Sequence, residues 1–371
     1  MAAEPVVVIG ASAGGLQALT TIVERLPPTL RACVVVVVHS SSNGHGLLPQ
    51  ILERAGALPV AFAQSGDPIT PGRIFIAPPD CHVLIAGRRL LLTHGPRENG
   101  FRPAIDPLFR TAARELGSCA IGVILSGALS DGTYGLSTIK QHGGAAIVQD
   151  PDDAVVPNMP QSAILNVPVD AVLTADAIAT EIVRLAEHMA EGTGGRDMPR
   201  TRPLEPQQPQ PSDDTEIAGM QELFGAPSAL TCPGCGGALW QVEEGRVVRF
   251  QCHVGHQYAP ENLEAAQRDA VDGALWSAVR VLEEHAELKL RMAQRAAEGG
   301  LQVVSEGFAE GARDAHEQAQ RIRTVLFRFG NGDGATEPDT ARAEGRQETK
   351  RAAAKIRKGR AVVKRRRTGK A

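Results

Sequence analysis

Residues 6–19 constrain this chain most. Val6-Val7-Val8-Ile9 is a continuous β-branched run that leads straight into Gly10-Ala11-Ser12-Ala13-Gly14-Gly15. Leu16, Ala18, Leu19, Ile22 and Val23 then recur at helical spacing. The pattern reads as strand, tight turn, helix. An unbroken apolar strand is expected to be buried on both faces, as in a parallel sheet covered by helices. The glycines allow a sharp turn with a closely approached backbone. Such a turn lies at the carboxyl edge of the sheet, where open α/β folds bind ligands.

Three readings of the turn compete. A dinucleotide loop needs Gly where this chain has Ser12, and an acid at the end of the next strand, where it has His39. A nucleophile elbow needs G-x-S-x-G between strand and helix, which Gly10-x-Ser12-x-Gly14 supplies. The third is a Gly-rich turn whose serine caps the helix. Five residues do not decide among them.

A length of 371 residues suits two or three domains. The formal charge of −3 gives no overall attraction to nucleic acid or to a membrane. No apolar run is long enough to span a bilayer, and Met1-Ala2-Ala3-Glu4-Pro5 has neither the basic start nor the apolar stretch of a signal peptide. A soluble, cytoplasmic protein is expected. Cys33, Cys81 and Cys119 are scattered while Cys232, Cys235 and Cys252 cluster, which is no disulfide framework.

Residues 1–190 alternate strand and helix signals. Strands are expected at Val34–Val38, Val60–Phe62, Arg73–Ile76, Ala120–Leu125 and Ala145–Val148, with a hairpin of Val83–Ile85 and Leu90–Leu92 around Gly87-Arg88-Arg89. Helices are expected at Leu47–Ala55, Ile105–Leu116, through Leu136 and Ile139, and at Ala177–Met189. The fold class is therefore α/β: a doubly wound, mainly parallel, Rossmann-like sheet with an antiparallel excursion.

Three strands end in different polar groups, Ser12, His39 and Asp131. On one sheet edge they form a relay: Ser12 attacks a carbonyl, His39 takes its proton and passes it to the leaving group, and Asp131 stabilises the imidazolium. Amides at Ala13 and near Ala128 would stabilise the oxyanion. His45, His82, His94 and His142 compete for the base, and Asp80, Asp106 and Asp150 for the acid.

The stretch 6–190 resembles the catalytic domain of the chemotaxis receptor methylesterases, the CheB family of protein-glutamate methylesterases. The matching pieces are Ile9-Gly10-Ala11-Ser12-Ala13-Gly14-Gly15, the strand ending in His39, Ile76-Ala77-Pro78-Pro79-Asp80 with His82, and Arg102-Pro103-Ala104-Ile105-Asp106. Gly122-Val123-Ile124-Leu125-Ser126-Gly127, Ser130-Asp131-Gly132 and Met159-Pro160 follow in order. The resemblance implies a Ser12, His39, Asp131 triad working without a cofactor. It also implies glutamate methyl esters on receptor helices as substrates, with glutamine deamidation as a second activity in signal transduction. Two departures stand out. Family members carry a phosphorylated receiver domain ahead of this one, and this chain, starting five residues before its first strand, is expected to lack it. The family's Met-Gly-Asn segment before the acid is here Ala128-Leu129-Ser130. Arg102 reads equally as a substrate-positioning group and as a surface ion pair.

Residues 191–229, rich in Gly, Pro and Gln, read as a disordered linker. Residues 230–258 read as a zinc-ribbon-like unit: Cys232 and Cys235 form a CxxC knuckle, and Cys252 follows after sixteen residues. Leu239–Val242 and Val247–Phe250 pair across Glu244-Gly245. So small a unit needs a metal to fold, so Cys232, Cys235, Cys252 and His256 are expected to hold a structural zinc, with His253 as the rival fourth ligand. The esterase-like part is expected to be independent of it. Residues 259–330 read as a helical hairpin broken at Glu298-Gly299-Gly300, with stripes of Leu275, Val279, Leu282 and Ala286 and of Ile322, Val325 and Leu326 as core or partner surface. Residues 331–371 read as a disordered basic tail: 350–370 hold eleven Lys or Arg and no acid, suited to nucleic acid or an acidic surface. The alternative to a serine hydrolase is thus a non-catalytic signalling or nucleic-acid-binding module built on the ribbon and the tail.

Overall fold

The structure, a computed structural model, describes residues 4–39, 45–191 and 225–330. Residues 192–224 of the expected linker and the whole expected basic tail, 331–371, lie outside the described residues. The chain divides into two compact units, residues 1–270 and 271–371.

The first unit is built on a seven-stranded sheet ordered β3-β4-β2-β1-β7-β8-β9. Its strands are β1 (Val6–Ala11), β2 (Cys33–Val38), β3 (Val60–Phe62), β4 (Arg73–Ile76), β7 (Ala120–Ile124), β8 (Ala145–Gln149) and β9 (Ala171–Leu173). All their pairings are parallel. The antiparallel excursion is the separate hairpin of β5 (His82–Ala86) and β6 (Arg89–Thr93).

The solid apolar runs have the expected cause. Every residue of β1 and β2 is buried. Val7, Ile9, Val34 and Val36 pack one way, with Leu19, Ile22 and Val23 of α1 (Gly15–Arg25) and Ile178 and Ile182 of α6 (Ala175–Ala190). Val6, Val8, Val35 and Val37 pack the other way, with Leu108 and Phe109 of α3 (Ile105–Leu116), Leu136 and Ile139 of α4 (Thr133–Gln141) and Met159 of α5 (Asn158–Asn166). Each such side chain contributes about 1.5–3 kcal/mol by leaving water. Gly10 is needed where the sheet meets α3, because a Cβ there would lie 2.5 Å from the Ile105 side chain. The remaining helix of the sheet domain is α2 (Leu48–Ala55).

The same unit contains a second, four-stranded antiparallel sheet: β10 (Ala226–Thr231), β11 (Ala238–Glu244), β12 (Val247–Cys252) and β13 (Gln257–Tyr258). The expected β11–β12 hairpin is present. The outer strands β10 and β13 were not expected. Pro227 disguises β10, being tolerated only because β10 is an edge strand, and β13 has two residues. In the second unit, α7 (Pro260–Glu298), whose first residues belong to the first unit, turns at Gly299-Gly300 into α8 (Gln302–Gly330). Val279 packs with Ala319 and Leu326, flanked by Leu275, Leu282 and Ile322. Val325 departs from the expected stripe and is exposed.

Candidate active site

Ala11 of β1 and Val38 of β2 are paired in register. Ser12 and His39 are therefore the next residues on neighbouring strands about 4.8 Å apart, and the His39 amide donates to the Ala11 carbonyl at 3.0 Å. Asp131 follows β7, the neighbour of β1 on its other side. Three adjacent strands thus deliver hydroxyl, imidazole and carboxylate to one edge.

Ser12 does not cap α1. The residue at the cap is Gly14, at φ 73°, and no side chain caps the helix. The Ser12 amide donates to the Ser126 carbonyl at 3.0 Å, and the Ser12 carbonyl accepts from Gly15 at 2.9 Å. The backbone is pinned while the residue stays partly open to solvent. Ala13 and Ala128 are exposed. Between Ala128 and Asp131, Leu129 is held at φ 62°, a conformation a branched residue occupies only under constraint.

His39 Nε2 donates to Asp131 Oδ2 at 2.8 Å, and both side chains are almost fully buried. Nδ1 is buried without a hydrogen-bond partner among the described residues. The ring stacks on Phe101, centroids 3.8 Å apart and planes within 9°. Asp131 Oδ2 also accepts from the Ile105 amide at 2.7 Å, and Oδ1 from Asn99 Nδ2 at 2.8 Å and the Asp106 amide at 3.3 Å. Those two amides open α3, so the carboxylate occupies a helix N-terminus that has no cap of its own. Burial pushes the Asp131 carboxyl up, but His39, the Ile105 amide and Asn99 outweigh it and hold the group below its ordinary range.

The competitors have other duties. His82 Nε2 donates to the Pro96 carbonyl at 2.9 Å, and Nδ1 accepts from Ala104 at 3.2 Å. It is a satisfied core histidine whose pKa burial lowers. His94 and His142 each bind a backbone carbonyl at 2.9 Å; the His45 side chain lies outside the described residues. Asp150 holds the amide of Asp152 at 3.0 Å. Asp80 takes two bonds from Arg102, at 2.9 and 2.7 Å, and Arg102 also donates to the carbonyls of His94 and Gly95. Arg102 thus forms an ion pair, with Asp80.

Sequence reasoning did not single out Asn99, Phe101 and Ser130, and it weighed Asp106 only as a rival acid. Asn99 Nδ2 also donates to Asp106 Oδ2 at 2.9 Å. Burial and the charge of Asp131 push Asp106 up to about 8.

In the ribbon sheet, Cys232, Cys235, Cys252 and His256 place their ligand atoms within 4.8 Å of one another. Cys235 and Cys252 sulfurs are 3.6 Å apart, and Cys252 Sγ is 3.5 Å from His256 Nδ1. The two knuckles are alike: Gly236 donates to the Cys232 carbonyl at 2.8 Å, and Gly255 to that of Cys252 at 2.9 Å. His253 is exposed and outside the cluster. These four residues form a candidate metal site.

A parallel α/β sheet that carries Ser12, His39 and Asp131 beyond three adjacent strands has the layout of the Ser-His-Asp hydrolase class. The sequence profile of the CheB methylesterase family matches residues 7–182. A Leptospira interrogans protein, provisionally named protein-glutamate methylesterase/protein-glutamine glutaminase, is 41% identical over 146 residues, which are 39% of this chain and 76% of that protein. An Anaeromyxobacter dehalogenans protein-glutamate methylesterase/protein-glutamine glutaminase 2 is 40% identical over 145 residues, 39% of this chain but only 42% of that protein. The crystal structure of the Thermotoga maritima CheB methylesterase catalytic domain is 34% identical and superposes with a TM-score of 0.48, covering 49% of this chain and 99% of that one. The chain belongs to the CheB methylesterase family.

Proposed function

We propose that this chain is a serine hydrolase that cleaves glutamate methyl esters on chemoreceptor-type signalling proteins, releasing methanol, and that it also deamidates glutamine at such positions. The names of its relatives support the substrate class. The observation that carries the reading is the His39–Asp131 bond, with Nδ1 of the same ring left over and Ser12 in register beside it.

Ser12 Oγ attacks the ester carbonyl, and its proton passes to His39 Nδ1. Asp131 stabilises the imidazolium through Nε2. The oxyanion is held by backbone amides at Ala13 and Ala128. The tetrahedral intermediate collapses, the C–O bond to methoxide breaks, and His39 returns the proton, giving methanol and an acyl-Ser12. Water repeats the cycle through His39 and frees the glutamate. The relay draws on no cofactor. The cysteine pattern, three scattered and three clustered, suits a reducing, cytoplasmic setting. Among the described residues, no helix is long and apolar enough to cross a membrane.

The ribbon site is proposed to hold one structural zinc on Cys232, Cys235, Cys252 and His256. A tetrahedron with Zn–S bonds of about 2.3 Å has edges of about 3.8 Å, close to the 3.6 Å between the sulfurs. Four protein ligands leave no position for a reacting water.

The test is methanol release from methylated receptor by wild type and by Ser12→Ala. Release by wild type and its loss in the variant are expected. A folded Ser12→Ala with near-normal release would overturn the relay, and a wild type releasing none would overturn the substrate.

A further inference from the structure

The turn Glu98–Phe101 touches two members of the triad at once. The amide of Glu98 donates to the Phe101 carbonyl at 3.2 Å, and the Phe101 amide donates back at 2.9 Å. Asn99 and Gly100 between them have φ 53° and 85°. That closed turn presents the Asn99 carboxamide to Asp131 and the Phe101 ring to His39. Both partners it orients are buried, so neither ring nor carboxylate can drift while the turn holds.

What fixes the turn comes from far along the chain. Asn99 donates its amide to the Gln257 carbonyl at 2.7 Å, and its Oδ1 accepts from the Ala259 amide at 2.8 Å. Asn262 Nδ2 donates to the Asn99 carbonyl at 3.3 Å. The hydroxyl of Ser130, the residue before Asp131, lies 2.8 Å from Asn262 Oδ1 and 2.9 Å from Glu261 Oε2. Asn262 is itself buried. Arg110 grips Glu98 with two bonds, at 2.7 and 2.8 Å. Every polar atom of Asn99 is thus engaged, on the triad side by Asp131 and Asp106 and on the other side by residues 257–262.

We infer that Asn99 is a positioning residue for the His39–Asp131 pair, and that residues 257–262 complete the hydrolase site by holding it. The inference rests on the hydrolase reading above for its consequence, though not for its geometry. A carboxamide that points both N–H groups at carboxylates needs its own orientation fixed, since a flipped amide sets oxygen against oxygen. The bond from Ala259 to Oδ1 fixes it. The segment following β13 therefore reports on the triad acid across about 130 residues of sequence, the separation between Ser130 and Asn262 being 132.

The experiment uses the full chain with Asn99→Ala and Asn262→Ala. Two readouts are taken: kcat and KM on a methylated receptor, and the low-field proton of His39 Nε2 by NMR, assigned by its loss in His39→Gln. Asn99→Ala should lower kcat, by up to about 100-fold for a displaced catalytic group, with KM little changed, and should move the resonance. Asn262→Ala should do both more weakly, and it decides the matter if Asn99→Ala does not fold. A folded Asn262→Ala with wild-type resonance and kcat overturns the part assigned to residues 257–262. A folded Asn99→Ala with an unmoved resonance, or a moved resonance and unchanged kcat, overturns the positioning role. A wild type inactive on the ester defeats the hydrolase reading instead, and the resonance still tests the coupling.

Discussion

Asp106 and Asp131 each accept one hydrogen of the same Asn99 carboxamide, at 2.9 and 2.8 Å. Two buried carboxyls so close do not ionise together without cost, and their surroundings separate them. Asp131 has the imidazole, the start of α3 and Asn99, and stays charged. Asp106 has the Gly135 amide at 2.7 Å, and the charge of Arg110 does not outweigh burial and its neighbour, which push it up to about 8. The pair provides one permanent anion for the imidazole and one neutral acid beside it.

This division gives stability a sign. Above the ordinary aspartate value the unfolded chain releases the Asp106 proton, while the folded chain keeps it up to about pH 8. The folded state then binds more protons, and stability falls as pH rises, by at most about 1.4 kcal/mol per pH unit for one proton. Asp131 acts oppositely and lower: its contribution is complete above the ordinary value and is lost as pH falls through its lowered pKa. Denaturant midpoints at pH 5 and 7.5 should show wild type losing more stability across this interval than Asp106→Asn. Equal losses would mean that Asp106 is ionised in the fold.

Removing triad members should not be additive. Ser12→Ala and His39→Ala should each cost turnover by about three to six orders of magnitude, and the double variant little more. Asp131→Asn should cost on the order of 10⁴ in kcat through the wrong tautomer. It should also lower Tm, because the NH2 that replaces one carboxylate oxygen would face either the Ile105 amide or the Asp106 amide and Asn99 Nδ2, donors all. Single-turnover kinetics and thermal melts check both.

Gly127 lies between the nucleophile and the loop that carries Ala128. A Cβ there would sit 2.1 Å from Met159 Sδ and 2.8 Å from Ser12 Cβ. The backbone has little room to yield, since Gly127 donates to Val156 and accepts from Met159, both at 2.9 Å. Gly127→Ala should destabilise the chain by about 1–3 kcal/mol and lower kcat by displacing Ser12. A variant with wild-type Tm and kcat would contradict the packing.

The sheet was legible because its strands are buried on both faces and read as unbroken Val and Ile runs, as in Val6–Ile9 and Val34–Val38. The three strand ends followed from that. Other elements carry no such signal. Helix α5 is short and carries Pro160 in its first turn, and β9 is a three-residue edge strand with no fully buried residue. Asn99-Gly100 reads only as a turn, and no spacing rule reveals that the turn faces Asp131, since its partners Gln257, Ala259 and Asn262 are some 160 residues away in sequence. The Cys232, Cys235, Cys252 and His256 cluster was legible because metal-ligand motifs have fixed local spacing, while the docking of that sheet depends on single hydrogen bonds.

The metal prediction now differs from what sequence alone suggests. Elemental analysis should find about one zinc per chain, and Cys235→Ser should lose it. His256→Ala should lose it too, while His253→Ala keeps it, because only His256 brings a nitrogen to the sulfurs, 3.5 Å from Cys252. Without metal the ribbon sheet retains a core of little more than Leu239, Tyr258 and Leu263 beside its cysteines. Structural zinc sites supply folding energy outright, so limited proteolysis should cut between residues 226 and 258 in Cys235→Ser and not in wild type. The sequence separates this unit from the hydrolase, so activity would survive. The contacts do not: Gln257 and Ala259, which hold Asn99, lie within three residues of the candidate ligand His256. Esterase turnover in Cys235→Ser should therefore fall alongside the zinc, with KM little changed. A zinc-free, proteolysed variant with undiminished kcat would show that residues 257–262 keep their place without the metal.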